Sequence, residues 1–251
     1  MFDYRMFCVY YRINQLDYKS DNTVWIYSGK QHLNLFLNEH TALKYVYDSN
    51  TADKEYVGFC SYRRYIFREH IENFQMDENS IIVYNKLVDN DKRKGYFGLN
   101  EWSNKNWYCC DYMYNDCLEF FSTIKDINYL EVEKYINEHR IFYNYNCFIM
   151  HKKNFEQLVK FIWGGYIDFI DKKYNLNYDP ENYKKYCEHY MNYFKENNNS
   201  PCLYLLTNHG YRIMAYLIEW LVSYFITANF TNIYPIFETT VDDKIIFTNL
   251  K

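Results

Sequence analysis

Short apolar runs separated by longer amphipathic stretches organise the first half of the chain. "RMFCVYYRI" (5–13) and "TVWIYSG" (23–29) are compact apolar and aromatic runs of strand length. Between them and the next run, "KQHLNLFLNEHTALKYVYDSN" places Leu33, Leu37, His40, Leu43 and Tyr47 at steps of three or four, the spacing of one helical face. "YVGFCSYRRYIF" (56–67) begins as a buried strand and stops at two adjacent arginines, Arg63 and Arg64. A helix is expected over 68–76, a strand over "SIIVYNKLV" (80–88), and an exposed loop over the polar residues 89–107.

From "CDYMYNDCLEFFSTI" onward the periodicity is helical, with a second helix at "YLEVEKYINEHR" (129–140). "YNCFIMHKK" (145–153) predicts a strand running directly into a long helix over 154–174. "ENYKKYCEHYMNYFKEN" predicts a further amphipathic helix, and the Asn-rich "ENNNSPC" a loop. An apolar helix follows over 213–230, and "NIYPIFETT" closes the pattern as a strand or sheet edge. Strands alternating with helices early, and helices dominating later, predict an α/β fold. The expected architecture has a mostly parallel central sheet, flanking helices and a helix-rich C-terminal half. No repeat or linker divides residues 1–251, so a single domain is expected.

Composition narrows the partners. The 31 Tyr and 19 Phe accompany abundant Asn, Lys and Ile, a bias typical of AT-rich coding sequence, so aromatic abundance is not taken as a sign of base or sugar stacking. Net charge is −4, without the basic excess that phosphate contacts demand, which argues against nucleic acid as a partner. The eight cysteines form no CxxC pair and several sit in apolar runs, as expected of reduced thiols in the cytoplasm (a host's cytoplasm if the chain is viral). The N-terminus has no secretory h-region, and the apolar window at 213–230 carries Glu219 near its centre. No transmembrane segment is expected. Peripheral membrane contact stays open.

Three constellations bear chemistry. Guanidinium forks at Arg63 and Arg64 suit phosphate oxygens, and ligands of open α/β sheets bind beyond the C-terminal ends of the strands. The two readings are a diphosphate clamp, or one structural ion pair plus one solvated arginine. Glu39 and Thr41 sit in "LNEHTALKY", where Glu39 could hydrogen-bond a sugar hydroxyl or simply face water. Glu219, in "YLIEWLV", is either a general base or acid with a raised pKa or one half of a buried ion pair. Metal-binding candidates are weak. Asp89-Asn90-Asp91 is the sole Asp-x-Asp spacing near a strand end and reads as a turn. No HxH, HExxH, Gly-rich phosphate loop or GxSxG elbow occurs.

These segments carry a resemblance. "EYVGFCSYRRYIF" resembles the "VGLxHYRRYF" signature of a glycosyltransferase family from bacterial capsular and exopolysaccharide gene clusters, long catalogued as a domain of unknown function. In the same order, "FLNEHTALKYVYDSN" resembles its "NxxELTALYWIWKN". "YNYNCFIMHKKNFEQLVKFIWGGYIDFIDKKY" resembles its "YNMFIMKKELFxEYCEWLFxILFELE". "YRIMAYLIEWLVSYFI" with "IYPIF" resembles its "RxFGFLSERLFxVWL" with "xxLPV". The likeness spans about residues 6–240.

That resemblance implies a GT-A-like, Rossmann-like domain and a hexosyltransferase-type activity. A sugar would pass from a nucleotide-diphosphate donor to a glycan or lipid-linked acceptor. On the matching positions, Tyr62, Arg63, Arg64, Tyr65, Glu39 and Thr41 would bind the donor. Asn146 and Arg212 would orient sugar or acceptor, and Glu219 and Arg64 would be catalytic. The arginines would stand where related folds hold a metal, so no cofactor is firmly expected and Mn²⁺ or Mg²⁺ is disfavoured. Ser61 replaces the signature's His, Trp220 replaces an Arg, and Gly164 and Gly165 interrupt a helix. These departures motivate an alternative: a catalytically decayed transferase fold acting as a carbohydrate- or protein-binding module.

Overall fold

The computed structural model describes residues 2–10, 23–27, 33–61, 66, 71, 73–86, 111–124, 127, 146–196, 210–241 and 244–248. The expected loop over 89–107, the expected helix over 129–140 and the Asn-rich loop lie outside these residues, as do Cys109, Cys110 and Cys202.

Among the described residues seven strands form one sheet: β1 (Tyr4–Tyr10), β2 (Thr23–Tyr27), β3 (Tyr56–Ser61), β4 (Ser80–Lys86), β5 (Phe148–His151), β6 (Asn232–Val241) and β7 (Lys244–Thr248). Their order is β2-β1-β3-β5-β4-β6-β7. β1 pairs in parallel with β2 and β3, and β4 pairs in parallel with β6. β5 runs antiparallel between β3 and β4, and β7 runs antiparallel to β6. The sheet is therefore mixed but mostly parallel, as the alternation of elements predicted. β7 was not foreseen, although Asp242-Asp243 breaks the pattern after β6 and "KIIFT" is an apolar, β-branched run of strand length.

Strands β1, β3, β4 and β5 are buried on both faces, which is why they read as continuous apolar runs. On one face the register aligns Phe7, Phe59 and Phe148 across β1, β3 and β5. Their rings pack at 5.6 and 5.9 Å between centroids, and Phe155 stacks on Phe59 at 5.7 Å. On the other face lie Met6, Cys8, Cys60, Cys147 and Ile149. All five described cysteines are buried and reduced. Gly58 explains itself here: a Cβ would come within 2.9 Å of the Met6 thioether and 3.2 Å of Ile149.

The helix expected after β2 forms in two pieces, α1 (Asn34–Leu37) and α2 (His40–Asp48). Asn38 breaks them apart with φ of 52°, a left-handed conformation that Asn tolerates. The helix expected over 68–76 is not seen in its described part, where Asn73 sits in a turn and residues 74–77 are irregular. α3 (Asp111–Thr123) forms where helical periodicity resumed.

β5 runs straight into α4 (Lys152–Val159), with the His151 side chain accepting from the Lys153 amide at 3.2 Å as the cap. The long helix predicted over 154–174 is not uniform. An eight-residue π-helical segment, Lys160–Ile167, separates α4 from α5 (Asp168–Tyr174). α6 (Pro180–Glu196) starts with Pro at its first position, and Asp179 caps it by accepting from the amides of Glu181 and Asn182. A 3₁₀ turn, Gly210–Arg212, leads into α7 (Ile213–Asn229). Among the described residues, no helix is long and apolar enough to cross a membrane.

One buried carboxylate ties three helices together. Asp116 of α3 accepts from Tyr174 at 3.0 Å, from Tyr190 at 3.1 Å and from the Lys173 ammonium at 2.8 Å. Burial works against the charge on Lys173, but hydrogen bonds to Asp116 and Glu119 outweigh it and push its pKa up. Removing one partner of such a network strands the others without water. Asp116→Ala should therefore lower stability by about 3–5 kcal/mol in urea denaturation. Lys173→Met should cost far less, because the lysine lies at the network's more exposed end.

Candidate functional site

The first turn of α2 carries the Glu39–Thr41 segment. Asn38, by turning left-handed, aims its carbonyl back at that turn, where it accepts from the Thr41 amide at 3.2 Å and the Thr41 hydroxyl at 2.8 Å. The Asn38 side-chain amide donates to the Glu39 carboxylate. Glu39 is half-buried and Thr41 buried. Both side chains are thus held in place by the local backbone before any ligand is considered.

His40, between them, is fully buried and forms the hub of the site. Its Nε2 lies 3.1 Å from the Ala215 carbonyl of α7 and 3.5 Å from Nδ2 of Asn146. A carbonyl oxygen only accepts, so Nε2 carries the proton and Nδ1 the lone pair. Asn146 then satisfies the geometry best with its amide turned so that the oxygen, not the NH₂, faces His40. His40 Nδ1 and Asn146 Oδ1 are buried and lack hydrogen-bond partners as placed. Desolvation lowers the His40 pKa from 6.5 to about 4, against a smaller opposing contribution from the Ala215 hydrogen bond.

Asn146 is buried, with φ of 48°, two residues before β5 begins. Because β5 is antiparallel, its start lies at the C-terminal ends of β3 and β4. Phe148 pairs with Phe59 and with Val83, and the Tyr84 amide donates to the Cys147 carbonyl at 2.8 Å. Asn146 therefore stands at the same sheet edge at which β3 ends with Ser61. The arginine segment, Tyr62 to Tyr65, follows Ser61 directly and lies outside the described residues, as do Asp89 and Asp91.

α7 supplies the remaining candidates. Arg212 is half-buried at the helix N-cap position, three residues before Ala215, and half-buried Glu219 follows Ala215 by one turn on the same helical stripe. Trp220, which takes the place of an arginine in the resemblance, is buried against Phe121 and Tyr224. The structure thus gathers Glu39, Thr41 and Asn146 around His40, with Arg212 and Glu219 on the helix that His40 contacts. His40 itself was counted only as one member of an apolar stripe. A histidine among leucines was the available signal for a buried polar hub. Trp163 was also missed; its indole N–H donates to the His40 carbonyl at 3.0 Å.

No known family profile and no curated protein matches the chain in sequence. Among solved structures, it is similar to the apo structure of WbbM, a bifunctional glycosyltransferase. The match has a TM-score of 0.50 and 15% identity, and covers 66% of this chain and 37% of that one. The fold is therefore an α/β glycosyltransferase-like fold, and the matched part of this chain spans little more than a third of the larger protein.

The His40 hub makes acid stability readable. Its pKa is lower folded than unfolded, so the unfolded chain takes up the proton first as pH drops. The stabilisation is complete above about pH 6.5 and drains away as pH falls toward about 4. Over that window the loss from this one group should be about 3 kcal/mol. Urea melts of the wild type against His40→Gln should show the difference shrinking as pH falls; parallel pH profiles would remove His40 as the cause.

Proposed function

We propose that the chain is a glycosyltransferase of hexosyltransferase type. It moves a sugar from a nucleotide-diphosphate donor to a glycan or lipid-linked acceptor, in polysaccharide synthesis at the cytoplasmic side. The observation that carries this reading is the convergence at one sheet edge. The end of β3, Asn146 and the first turn of α2 meet where open α/β sheets bind ligands. The likeness to a glycosyltransferase fold supports it.

In this reading Arg63 and Arg64 neutralise the diphosphate, flanked by Tyr62 and Tyr65, with Glu39 and Thr41 on the donor. The Thr41 hydroxyl already donates to Asn38, so it would serve a ligand as an acceptor. Asn146 and Arg212 orient the sugar and acceptor. The anomeric C–O bond to the diphosphate breaks, and the nucleoside diphosphate leaves with the electron pair. The acceptor oxygen bonds the anomeric carbon and its proton passes to the Glu219 carboxylate. Charge on the leaving group is met by fixed guanidinium groups, the form of stabilisation that does not need reorganisation during reaction.

A thermal-shift screen with UDP, GDP, dTDP and CMP should raise the melting temperature with at least one nucleotide. Transfer should survive EDTA. Arg64→Ala and Glu219→Gln should each lower kcat by about a hundredfold or more while leaving the fold intact. A strict requirement for Mn²⁺ would overturn the metal-free form of the mechanism, and failure of every nucleotide sugar to bind would overturn the transferase.

A further inference from the structure

A groove of about 1180 Å³ runs along the helix-covered face of edge strand β2, between α2 and the π-helical segment. This exceeds the roughly 300–1,000 Å³ of ordinary small-molecule sites. It borders the site already described: Thr41 lines it, and so does Trp163, whose N–H is bonded to His40. Along β2 it extends from Val24 to Tyr27, about 10 Å of strand, and reaches the C-terminal end of the sheet.

Four observations mark it as built for a ligand. First, the large hydrophobic residues that stand exposed among the described ones are Val24, Tyr27 and Tyr45, and all three line this groove. Second, seven described non-glycine residues have positive φ; five are Asn, and the other two, Leu33 and Tyr178, both line the groove. Such strain persists where the surroundings enforce it, and it concentrates at ligand sites. Third, the π-helical stretch contributes Lys160, Trp163 and Gly164 to the wall, and π segments recur at functional sites. Fourth, the two adjacent glycines differ. A Cβ on Gly165 would press on Phe120 at 3.1 Å, whereas a Cβ on Gly164 would meet nothing within 4 Å. Packing explains Gly165; Gly164 is exposed on the groove wall, where a large side chain would project into open space.

The lining also states the chemistry of the occupant. Its charges are balanced, Lys44 and Lys160 against Asp48 and Asp168. Lys44 is paired with Asp48 at 2.7 Å and stands 5.5 Å over the Trp163 ring, and Tyr178 donates to Asp168. A polyanion would find no net positive field there, and a purely apolar ligand would leave the charged rim unused. A pyranose chain fits both features: its C–H faces lie flat on aromatic rings while its hydroxyls bond carboxylates and ammonium groups. We propose that this groove binds a neutral oligosaccharide, the acceptor chain of the transfer, beside the donor edge. Its acceptor role rests on the transferase reading; its sugar binding does not.

Calorimetric titration of the full chain with neutral tetrasaccharides of glucose, galactose, mannose and N-acetylglucosamine, without nucleotide, tests it. At least one should bind. Tyr45→Ala and Gly164→Leu should each weaken that binding by about tenfold or more, without lowering the melting temperature. Gly164→Ala should bind nearly as the wild type and melt higher, since Ala is the better helix former. Absence of binding by every tetrasaccharide, or binding indifferent to both groove variants, overturns the proposal. So does a dimer in solution that Tyr45→Ala dissolves, which would assign the face to a second copy. Nucleotide binding without oligosaccharide binding sinks the groove alone. Oligosaccharide binding in the groove without nucleotide binding sinks the transferase and leaves the groove standing.

Discussion

Four residues, Phe148 to His151, join the two halves of the sheet. β2, β1 and β3 form a parallel group on one side, β4 and β6 a parallel pair on the other with β7 antiparallel at its edge, and β5 is the strand hydrogen-bonded to both sides. Phe148, Ile149 and Met150 are all buried, Phe148 and Met150 on one face and Ile149 on the other. Burial of three such side chains contributes about 1.5–3 kcal/mol each, before any gain from ladders on both sides. Because β5 is inserted antiparallel, its entrance lies where its neighbours end. The same reversal that unites the sheet therefore delivers Asn146 to the edge where β3 and β4 end and launches α4 toward the π-helical segment.

From that edge outward, polar groups are placed by short links rather than by one large element. His40 reaches α7 through the Ala215 carbonyl and the β5 entrance through Asn146. Trp163 reaches back to the His40 carbonyl, so the π-helical segment, α2 and α7 share one buried polar junction. Burial makes a neutral imidazole the stable form near neutrality, so the junction is rigid without carrying charge. Further charged groups form the Asp116 network, which ties α3, α5 and α6 together, and the rim of the groove.

The central strands were readable along the chain because both their faces are covered, and covered strands leave unbroken apolar runs. β2 to β5 fall within predicted runs, and β1 begins one residue before its run, at Tyr4. Breaks within helices were harder to see. Asn38 is an ordinary helix-surface residue until its left-handed φ separates α1 from α2, and a period of 3.6 continues across it. Gly164 and Gly165 signalled an interruption of the long helix. The helix widens there into a π segment that spans both glycines, with room for a Cβ at Gly164 and Phe120 close against Gly165. The signal for β7, an Asp-Asp pair followed by "KIIFT", was in the sequence but lay beyond the last predicted strand, "NIYPIFETT".

Amino-acid order alone determined the class of fold, the buried cysteines, the lack of a membrane-length helix among the described residues, and a set of polar residues standing out from apolar segments. Each of these depends on composition or on contacts between residues near in sequence. Tertiary structure decided which of those residues meet. His40 and Asn146 are 106 positions apart, and Trp163 is 123 from His40. No periodicity encodes such distances. They are set by the sheet order, by the antiparallel insertion of β5 and by the handedness of one asparagine. The groove is likewise a property of packing: its aromatic walls come from a strand and two helices whose patterns, read singly, show only ordinary amphipathic surfaces.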